Sequence, residues 1–285
     1  MMPDELATVR RAYAKQVLAA AGVADEALER AFAETEREHF LGAGPWQMLR
    51  WGGRYAGTPS ADPVYLYTDD LVAIDPARGL NNGQPSFLAL LMHEAAVKPG
   101  EHVVHIGTGT GYYTAILRHL AGGEGRVTGV EYDAALAARA QASLPEAAIV
   151  AGDGSRTDFD PVDVVFVNAG AVRPADLWLD RLKDGGRLVL PLTTAEGFGK
   201  PGAADMGLHG AVFLITRSGT HFLARRISST RIFPCAGLRD AEGERRLAAA
   251  FARSDGSGVT HLHRRDDLPE EICWLRGQGW CLTTE

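Results

Sequence analysis

The sequence has few cysteines and no long apolar run. Its three cysteines, at positions 235, 273 and 281 of 285 residues, are too few and too scattered for a disulfide framework, and no C-x-x-C pair indicates a zinc module. We therefore expect no metal site and a reducing, cytoplasmic environment. The first residues are acidic and no run reaches the length of a membrane span, so we expect neither a signal peptide nor a membrane partner.

The chain also lacks an excess of positive charge. Its formal net charge is −7, whereas a general nucleic-acid binder needs a basic face that displaces counterions. We expect no nucleic-acid partner. The apolar fraction of 46% is sufficient for a globular core in one large domain or in one domain with additions.

The most informative stretch is residues 103–117, which read V-V-H-I-G-T-G-T-G-Y-Y-T-A-I-L. A short apolar run, three closely spaced glycines and a helical pattern predict a strand, a tight loop and a helix whose free N–H groups face a ligand. The spacing is G-x-G-x-G, not the G-x-G-x-x-G of dinucleotide sites. It resembles motif I of the class I S-adenosylmethionine (SAM) methyltransferases. A tight turn without any ligand is the alternative interpretation.

From this stretch onward strands and helices alternate, which predicts a doubly wound α/β fold with a mostly parallel sheet. The sheet is expected to end in an antiparallel hairpin at 211–216 and 221–227, after a Gly-, Ala- and Thr-rich excursion at 193–209. Two helices precede the core, and a further helix and two short apolar segments follow it. We expect an N-terminal segment at 1–95 that covers the site, a SAM-binding core at 96–235 and a C-terminal extension at 236–285.

Acidic residues follow the next two predicted strands. Glu131 ends the second strand and Asp153 ends the third, and the carboxyl ends of parallel strands form the crevice of an open α/β sheet. Glu131 is expected to accept the two ribose hydroxyls and Asp153 the exocyclic amine of adenine, while Gly154 leaves room. An NAD site also has an acidic residue about 20 positions after its glycines, so Glu131 fits either cofactor. The glycine spacing and the G-D-G at Asp153 favour SAM.

Residues 65–192 resemble the protein-L-isoaspartate O-methyltransferases. The resemblance rests on V-K-P-G-E-H-V-V-H-I-G-T-G-T-G-Y-Y-T-A-I-L, A-G-D-G, V-D-V-V-F-V-N-A-G-A and L-K-D-G-G-R-L-V-L-P-L. It implies the class I, Rossmann-like methyltransferase fold, SAM as cofactor with S-adenosyl-L-homocysteine as product, and methyl transfer to a carboxylate. The implied cofactor-binding residues are Gln84, His105, Gly107, Thr108, Gly109, Gly111, Tyr112, Glu131, Tyr132, Asp153, Gly154 and Asn168.

The sequence departs from the family pattern at the methyl acceptor. The family has Thr-Ile-Ser before its Gln-Pro, and the serine hydroxyl lies at the acceptor carboxylate, whereas this chain has Asn81, Asn82 and Gly83. We expect Asn81, Asn82 and Ser86 to position the acceptor, with a simple Asn-Asn-Gly turn as the alternative. His105 stands where the family has an acidic residue near the amino group of SAM.

These observations predict a SAM-dependent O-methyltransferase acting on a carboxylate of a peptide, a protein or a small molecule. A SAM-binding protein without turnover remains an alternative because the family serine is absent. An NAD-dependent oxidoreductase is the third alternative. The C-terminal extension is expected to pack on the core, to cover the acceptor pocket or to form a homodimer contact.

Overall fold

The computed structural model describes residues 3–50, 54–194 and 210–285. They form two compact units. The first unit contains the residues up to Gly100 together with Thr108–Ala151, and the second contains Glu101–Gly107 together with Gly152–Glu285. The three-part division expected from the sequence, with boundaries after 95 and 235, stays a prediction.

Most helices lie where the hydrophobic periodicity predicts them. The described helices are α1 Pro3–Ala21, α2 Glu26–Glu34, α3 Arg37–Leu41, α4 Pro85–Ala95, α5 Tyr112–Ala121, α6 Ala134–Ser143, α7 Asp176–Arg181 and α8 Ala241–Arg253. The Asp25 carboxylate caps α2, since it accepts the Leu28 N–H at 3.0 Å. The periodic segment continues past α2 as the short helix α3.

The strands of both units are, in chain order, β1 Gln47–Arg50, β2 Arg54–Gly57, β3 Ala73–Asp75, β4 Leu80–Asn81, β5 His102–Ile106, β6 Arg126–Glu131, β7 Ala148–Ala151, β8 Val162–Val167, β9 Leu182–Thr193, β10 Gly210–Ser218, β11 His221–Ser229, β12 His261–His263, β13 Cys273–Gly277 and β14 Trp280–Thr283. The Gly-, Pro- and aromatic-rich residues 42–62 contain the antiparallel pair β1 and β2. Trp51 and the part of the expected excursion at 195–209 lie outside the described residues.

The second unit contains a mixed sheet. Its strands lie in the order β13, β14, β12, β11, β10, β9, β8, β5. The pairs β5 with β8 and β8 with β9 are parallel, and β6 with β7 of the first unit are parallel as well. The uninterrupted apolar run of β8 is buried, as expected for a strand covered on both faces. The predicted α/β architecture is confirmed.

The antiparallel end of the sheet is longer than the predicted hairpin. The hairpin of β10 and β11 is confirmed, and β12, β14 and β13 continue it as further antiparallel strands. Although the three cysteines are too few and too scattered for a disulfide framework, Cys273 and Cys281 form one disulfide with a Cα–Cα distance of 6.1 Å. These cysteines lie on neighbouring strands that a tight turn brings together.

A buried guanidinium organises the first unit. The Arg37 side chain is fully buried and donates to the carbonyl oxygens of Leu66, Thr68 and Asp70. Its Cζ lies 5.7 Å from the ring centre of Tyr13 and 5.8 Å from that of Tyr112, within the range of a cation–π contact. Arg37 therefore joins α3, the loop at 66–70 and the start of α5.

None of the helices within residues 3–50, 54–194 and 210–285 is both long and apolar enough to cross a membrane.

We expect Arg37→Met to lower the free energy of unfolding by about 2–4 kcal/mol. Three carbonyl groups, of which that of Leu66 is buried, lose their donor, and the removal of a desolvated charge offsets only part of that cost. Equilibrium urea unfolding measures the change. Arg30→Met, at an exposed position of α2, is the matched control, and an equal small effect of both substitutions would contradict the organising role of Arg37.

Candidate active site

The glycine-rich loop follows β5 directly and leads into α5. Gly107, Gly109 and Gly111 all have positive φ. At Gly107, with φ of 80°, a Cβ atom would approach the Asn168 carbonyl oxygen to 3.0 Å, so neither the backbone conformation nor the space suits a side chain. The Asn168 N–H in turn donates to Ile106 O at 2.8 Å. The predicted strand–loop–helix is confirmed.

Glu131 holds this loop from the end of β6. Its Oε2 accepts the Gly109 N–H at 2.7 Å, and its Oε1 accepts the Asp133 N–H at 3.0 Å. Burial raises the pKa of the Glu131 carboxyl, although the backbone donors at Asp133 and Gly109 act in the opposite direction. Each carboxylate oxygen has two acceptor sites, so a pair of ligand hydroxyls can bind beside the two backbone bonds.

The residues after Glu131 form the start of α6. Tyr132 is 65% exposed, and a large aromatic ring so open to solvent offers a face on which a planar ligand can stack. Asp133 caps α6 by accepting the N–H groups of Ala135 and Leu136 and forms an ion pair with Arg78. The edge beside Glu131 is therefore rigid and carries one open aromatic face.

Within the second unit, Asp153 and Gly154 follow β7 in a compact turn. Asp153 Oδ1 accepts the N–H of Ser155 at 2.9 Å and its hydroxyl at 2.7 Å. The Gly154 carbonyl accepts the indole N–H of Trp178 at 2.8 Å. The Asp153 side chain is 25% exposed, so the carboxylate is oriented by its own turn and remains accessible to a donor.

Two predicted cofactor residues are fully buried. His105 packs edge-on against Phe166, and burial lowers its pKa to about 3, which leaves the imidazole neutral at pH 7. The Tyr112 hydroxyl lies 3.5 Å from that of Tyr13, inside the aromatic cluster around Arg37. Contact of these two side chains with a cofactor stays a prediction.

The predicted acceptor residues form a tight turn between β4 and α4. Asn81 Oδ1 accepts the Gly83 N–H at 2.9 Å. Asn82 donates its backbone N–H to Val72 O at 2.8 Å, and its side chain is only 6% exposed. Among the described residues, the Asn82 Nδ2 has no hydrogen-bond partner. A buried amide donor without a partner is costly, and an anionic ligand would satisfy it.

The acceptor turn is attached to the helix that follows the glycine-rich loop. The Tyr113 hydroxyl, in the first turn of α5, donates to Gly83 O at 3.2 Å. Burial raises the Tyr113 pKa well above its usual value, so the hydroxyl stays a donor. The first unit thus brings together the turn at Asn81–Ser86 and the loop that ends at Tyr112.

Sequence reasoning missed Asp69, which contacts this turn from outside. Its carboxylate accepts the Ser86 N–H at 2.7 Å, the Ser86 hydroxyl at 2.6 Å and the Gln84 Nε2 at 3.0 Å. No local pattern marks a pair separated by 17 residues. The described residues contain no group of three or more His, Cys, Asp or Glu side chains suited to a metal ion.

Comparison with known proteins identifies the family. The family model described as Protein-L-isoaspartate(D-aspartate) O-methyltransferase (PCMT) matches residues 54–199, about half of the chain. The chain belongs to this family. A protein-L-isoaspartate O-methyltransferase 1 of Anaeromyxobacter sp. (strain Fw109-5) is 32% identical over 203 residues, which cover 68% of this chain and 85% of that protein.

Other members of the family align over a smaller share of their own length. The Thermotoga maritima protein-L-isoaspartate O-methyltransferase is 33% identical over 180 residues, 60% of this chain and 51% of that protein, so the chain spans about half of that relative. A solved protein-L-isoaspartate O-methyltransferase matches with a TM-score of 0.63 and 26% identity, covering 80% of this chain and 66% of that one. The class I methyltransferase fold is confirmed.

At Gly83, where the family pattern has a serine, the backbone adopts a left-handed conformation. Gly83 has φ of 77°, and a Cβ atom there would lie 3.1 Å from Leu88 Cδ2. A serine, which the family places here, would be strained in this conformation.

We expect Gly83→Ser to lower the free energy of unfolding by about 1–3 kcal/mol, because a residue with a Cβ is forced into left-handed backbone. Chemical denaturation measures the loss. Gly123→Ser, at an exposed turn with open space around its Cα, provides the control. A stabilised Gly83→Ser protein would show that the turn retains the family geometry.

Proposed function

We propose that the chain is a SAM-dependent O-methyltransferase that transfers the sulfonium methyl group to a carboxylate of a peptide, a protein or a small molecule. The observation that carries this proposal lies in the first unit. Helix α5 begins at the glycine-rich loop held by Glu131, and its residue Tyr113 binds the turn that contains the unpaired amide of Asn82. One helix therefore joins a donor loop to an acceptor turn.

The methyl donor is assigned to the loop and to Glu131. A nucleoside ribose that places both hydroxyls on Glu131 would lie beside the N–H groups of the loop, and Tyr132 offers a face for the base. The family pattern assigns five further residues to the cofactor, namely Gln84, Thr108, Asp153, Gly154 and Asn168. A Plasmodium falciparum protein of the same fold, 15% identical with a TM-score of 0.61 over 79% of this chain and 97% of that one, is in complex with S-adenosyl-L-homocysteine.

The chemistry requires orientation more than acid–base catalysis. A carboxylate oxygen attacks the methyl carbon, the O–CH3 bond forms as the S–CH3 bond breaks, and the electron pair stays on sulfur. An anion and a sulfonium cation become a neutral ester and a neutral thioether, so exclusion of water favours the reaction. A carboxylic acid is already ionised at neutral pH, so the residues only need to align the reactants.

The acceptor side is assigned to Asn81, Asn82 and Ser86. Asn82 provides the buried amide donor, Asn81 fixes the turn through Gly83, and Ser86 ties the turn to Asp69. An amide donor replaces the hydroxyl that the family pattern places at Gly83. We assign residues 1–95 to covering the site and 236–285 to the C-terminal extension. Homodimer formation and the absence of a nucleic-acid partner stay predictions.

We also propose that the protein is cytoplasmic. There the Cys273–Cys281 pair would exist as thiols, because cytoplasmic reductants keep protein thiols reduced. Alkylation of a freshly lysed cell extract followed by mass spectrometry tests this. Cys235 is a thiol in either case, so alkylation of Cys273 and Cys281 in addition supports the assignment, and an intact disulfide between them under the same conditions contradicts it.

The proposed function is tested with methyl-labelled SAM and two peptides, one with an L-isoaspartyl and one with an ordinary aspartyl residue. A base-labile methyl ester on either peptide supports the proposal and shows which carboxylate is used. Binding of S-adenosyl-L-homocysteine without an ester on these peptides or on small carboxylic acids would favour a SAM-binding protein without turnover. Stabilisation by NAD alone in a parallel thermal-shift experiment would favour the oxidoreductase alternative.

We expect Glu131→Gln to weaken the binding of S-adenosyl-L-homocysteine by about 10- to 100-fold, because hydrogen bonds to a charged acceptor are lost. In the unmodified protein, affinity should fall as the pH drops through the raised pKa of Glu131 and should be retained above it. Titration calorimetry across pH 4.5–8 measures both effects. Glu124→Gln, at an exposed turn, is the control, and a Glu131→Gln protein with unchanged affinity and the same pH profile would contradict the ribose assignment.

We expect Asn82→Ala to raise KM for the acceptor about tenfold or more, because the carboxylate loses an amide donor. Asn82→Asp should have a larger effect, since two carboxylates repel each other. Steady-state kinetics with the acceptor varied measures KM, and the affinity for S-adenosyl-L-homocysteine shows that the donor side is intact. An Asn82→Asp protein with normal acceptor KM would exclude Asn82 from the acceptor site.

A further inference from the structure

In the turn that carries Asn82, the residue that precedes helix α4 provides no side-chain cap for it. Helix α4 begins at Pro85, and the preceding residue, Gln84, makes no side-chain cap hydrogen bond. The side-chain oxygen of Asn81 accepts the Gly83 N–H within the turn. Because Pro85 has no N–H, the first helix donor is the N–H of Ser86.

Asp69 supplies the missing cap from a separate loop. Its carboxylate accepts the Ser86 N–H and hydroxyl together with the Gln84 side-chain amide, at 2.7, 2.6 and 3.0 Å. A carboxylate at this position also interacts favourably with the positive end of the α4 dipole. The residues on both sides of Pro85 are thereby fixed to one carboxylate.

Asp69 is itself held in place by buried contacts. The loop at 66–70 gives three carbonyl oxygens to the guanidinium of Arg37, from Leu66, Thr68 and Asp70. Two of these residues are the immediate neighbours of Asp69. The carboxylate therefore projects from a loop that is fixed on both sides, while the side chain of Ser86 is only 7% exposed.

We propose that Asp69 is a positioning residue for the methyl acceptor, which holds the Asn81–Gln84 turn so that the Asn82 amide meets the acceptor carboxylate. This inference rests on the proposed function. It also explains the place of Ser86, whose hydroxyl donates to Asp69 at 2.6 Å and so acts on the acceptor through Asp69. On the donor side, Glu131 holds the glycine-rich loop through Gly109, and Asp69 contacts that side through Gln84.

The test compares Asp69→Asn with Asp70→Asn in the full chain. Asp70 is the neighbouring half-buried carboxylate, and it binds the exposed Arg50 and Thr68 instead of the turn. We expect Asp69→Asn to raise KM for the accepted peptide at least tenfold and to change kcat less than threefold. The affinity for S-adenosyl-L-homocysteine should fall by a smaller factor than KM rises, because Gln84 is the one residue assigned to the cofactor that binds Asp69 in the described structure. Asp70→Asn should leave all three quantities unchanged.

A second measurement reports on the turn without turnover. We expect hydrogen–deuterium exchange at residues 81–88 to rise about tenfold or more in Asp69→Asn, while 107–112 exchange as before and Asp70→Asn behaves as the unmodified protein. In a Ser86→Ala, Asp69→Asn double variant the effect on KM should be no larger than in Asp69→Asn alone, because both changes remove one contact.

Several outcomes would overturn the inference. Unchanged exchange at 81–88 would show that Asp69 does not hold the turn. Faster exchange with an unchanged KM for the acceptor would leave Asp69 a purely structural residue. So would a rise in acceptor KM matched by an equal loss of affinity for S-adenosyl-L-homocysteine. An unmodified protein that binds S-adenosyl-L-homocysteine but methylates no carboxylate would instead overturn the proposed function itself.

Discussion

The buried guanidinium of Arg37 is the interaction on which the acceptor side of the candidate site depends. A fully buried cation is tolerated in a protein interior only when acceptors bind its N–H groups and nearby groups compensate its charge. Here three backbone carbonyls and two aromatic rings surround the guanidinium. The carbonyls belong to the loop that presents Asp69, and one of the rings, that of Tyr112, opens α5. The same side chain thus fixes a loop and a helix that both reach the acceptor turn.

The donor side depends mainly on the carboxylate of Glu131. Glu131 accepts one N–H from the glycine-rich loop and one from the start of α6, so its position is determined before any ligand binds. Prearranged groups of this kind reduce the entropy lost when the reactants are aligned. The two sides share α5 and the contact of Asp69 with Gln84, while Glu131 holds the glycine-rich loop through its own hydrogen bonds. Changes at Asp69 are therefore expected to affect the acceptor more than the donor.

The sequence predicts the parts of the molecule that are encoded locally. The run at 103–106, the three glycines and the helix at 112–121 all follow from neighbouring residues, and Glu131 is marked by its place at the end of a strand. Asp25 is recognisable as a helix cap for the same reason. The family resemblance at 65–192 rests on these same local motifs.

The remaining features arise from contacts between distant residues. An arginine such as Arg37 is normally exposed, and nothing near it in the sequence indicates that it binds carbonyls some 30 positions away. Asp69 is one of two adjacent aspartates, and only the fold shows which of them binds Ser86. The disulfide between Cys273 and Cys281 and the added strands β12 to β14 likewise depend on how the end of the chain folds back.

The most direct test of the account is a crystal structure of the protein with S-adenosyl-L-homocysteine and an unmethylated acceptor peptide. We expect the ribose hydroxyls on Glu131 and an acceptor carboxylate oxygen within hydrogen-bond distance of Asn82 Nδ2, with Asp69 still bound to Ser86. A carboxylate bound elsewhere, with the Asn82 amide buried and unpaired as before, would contradict it.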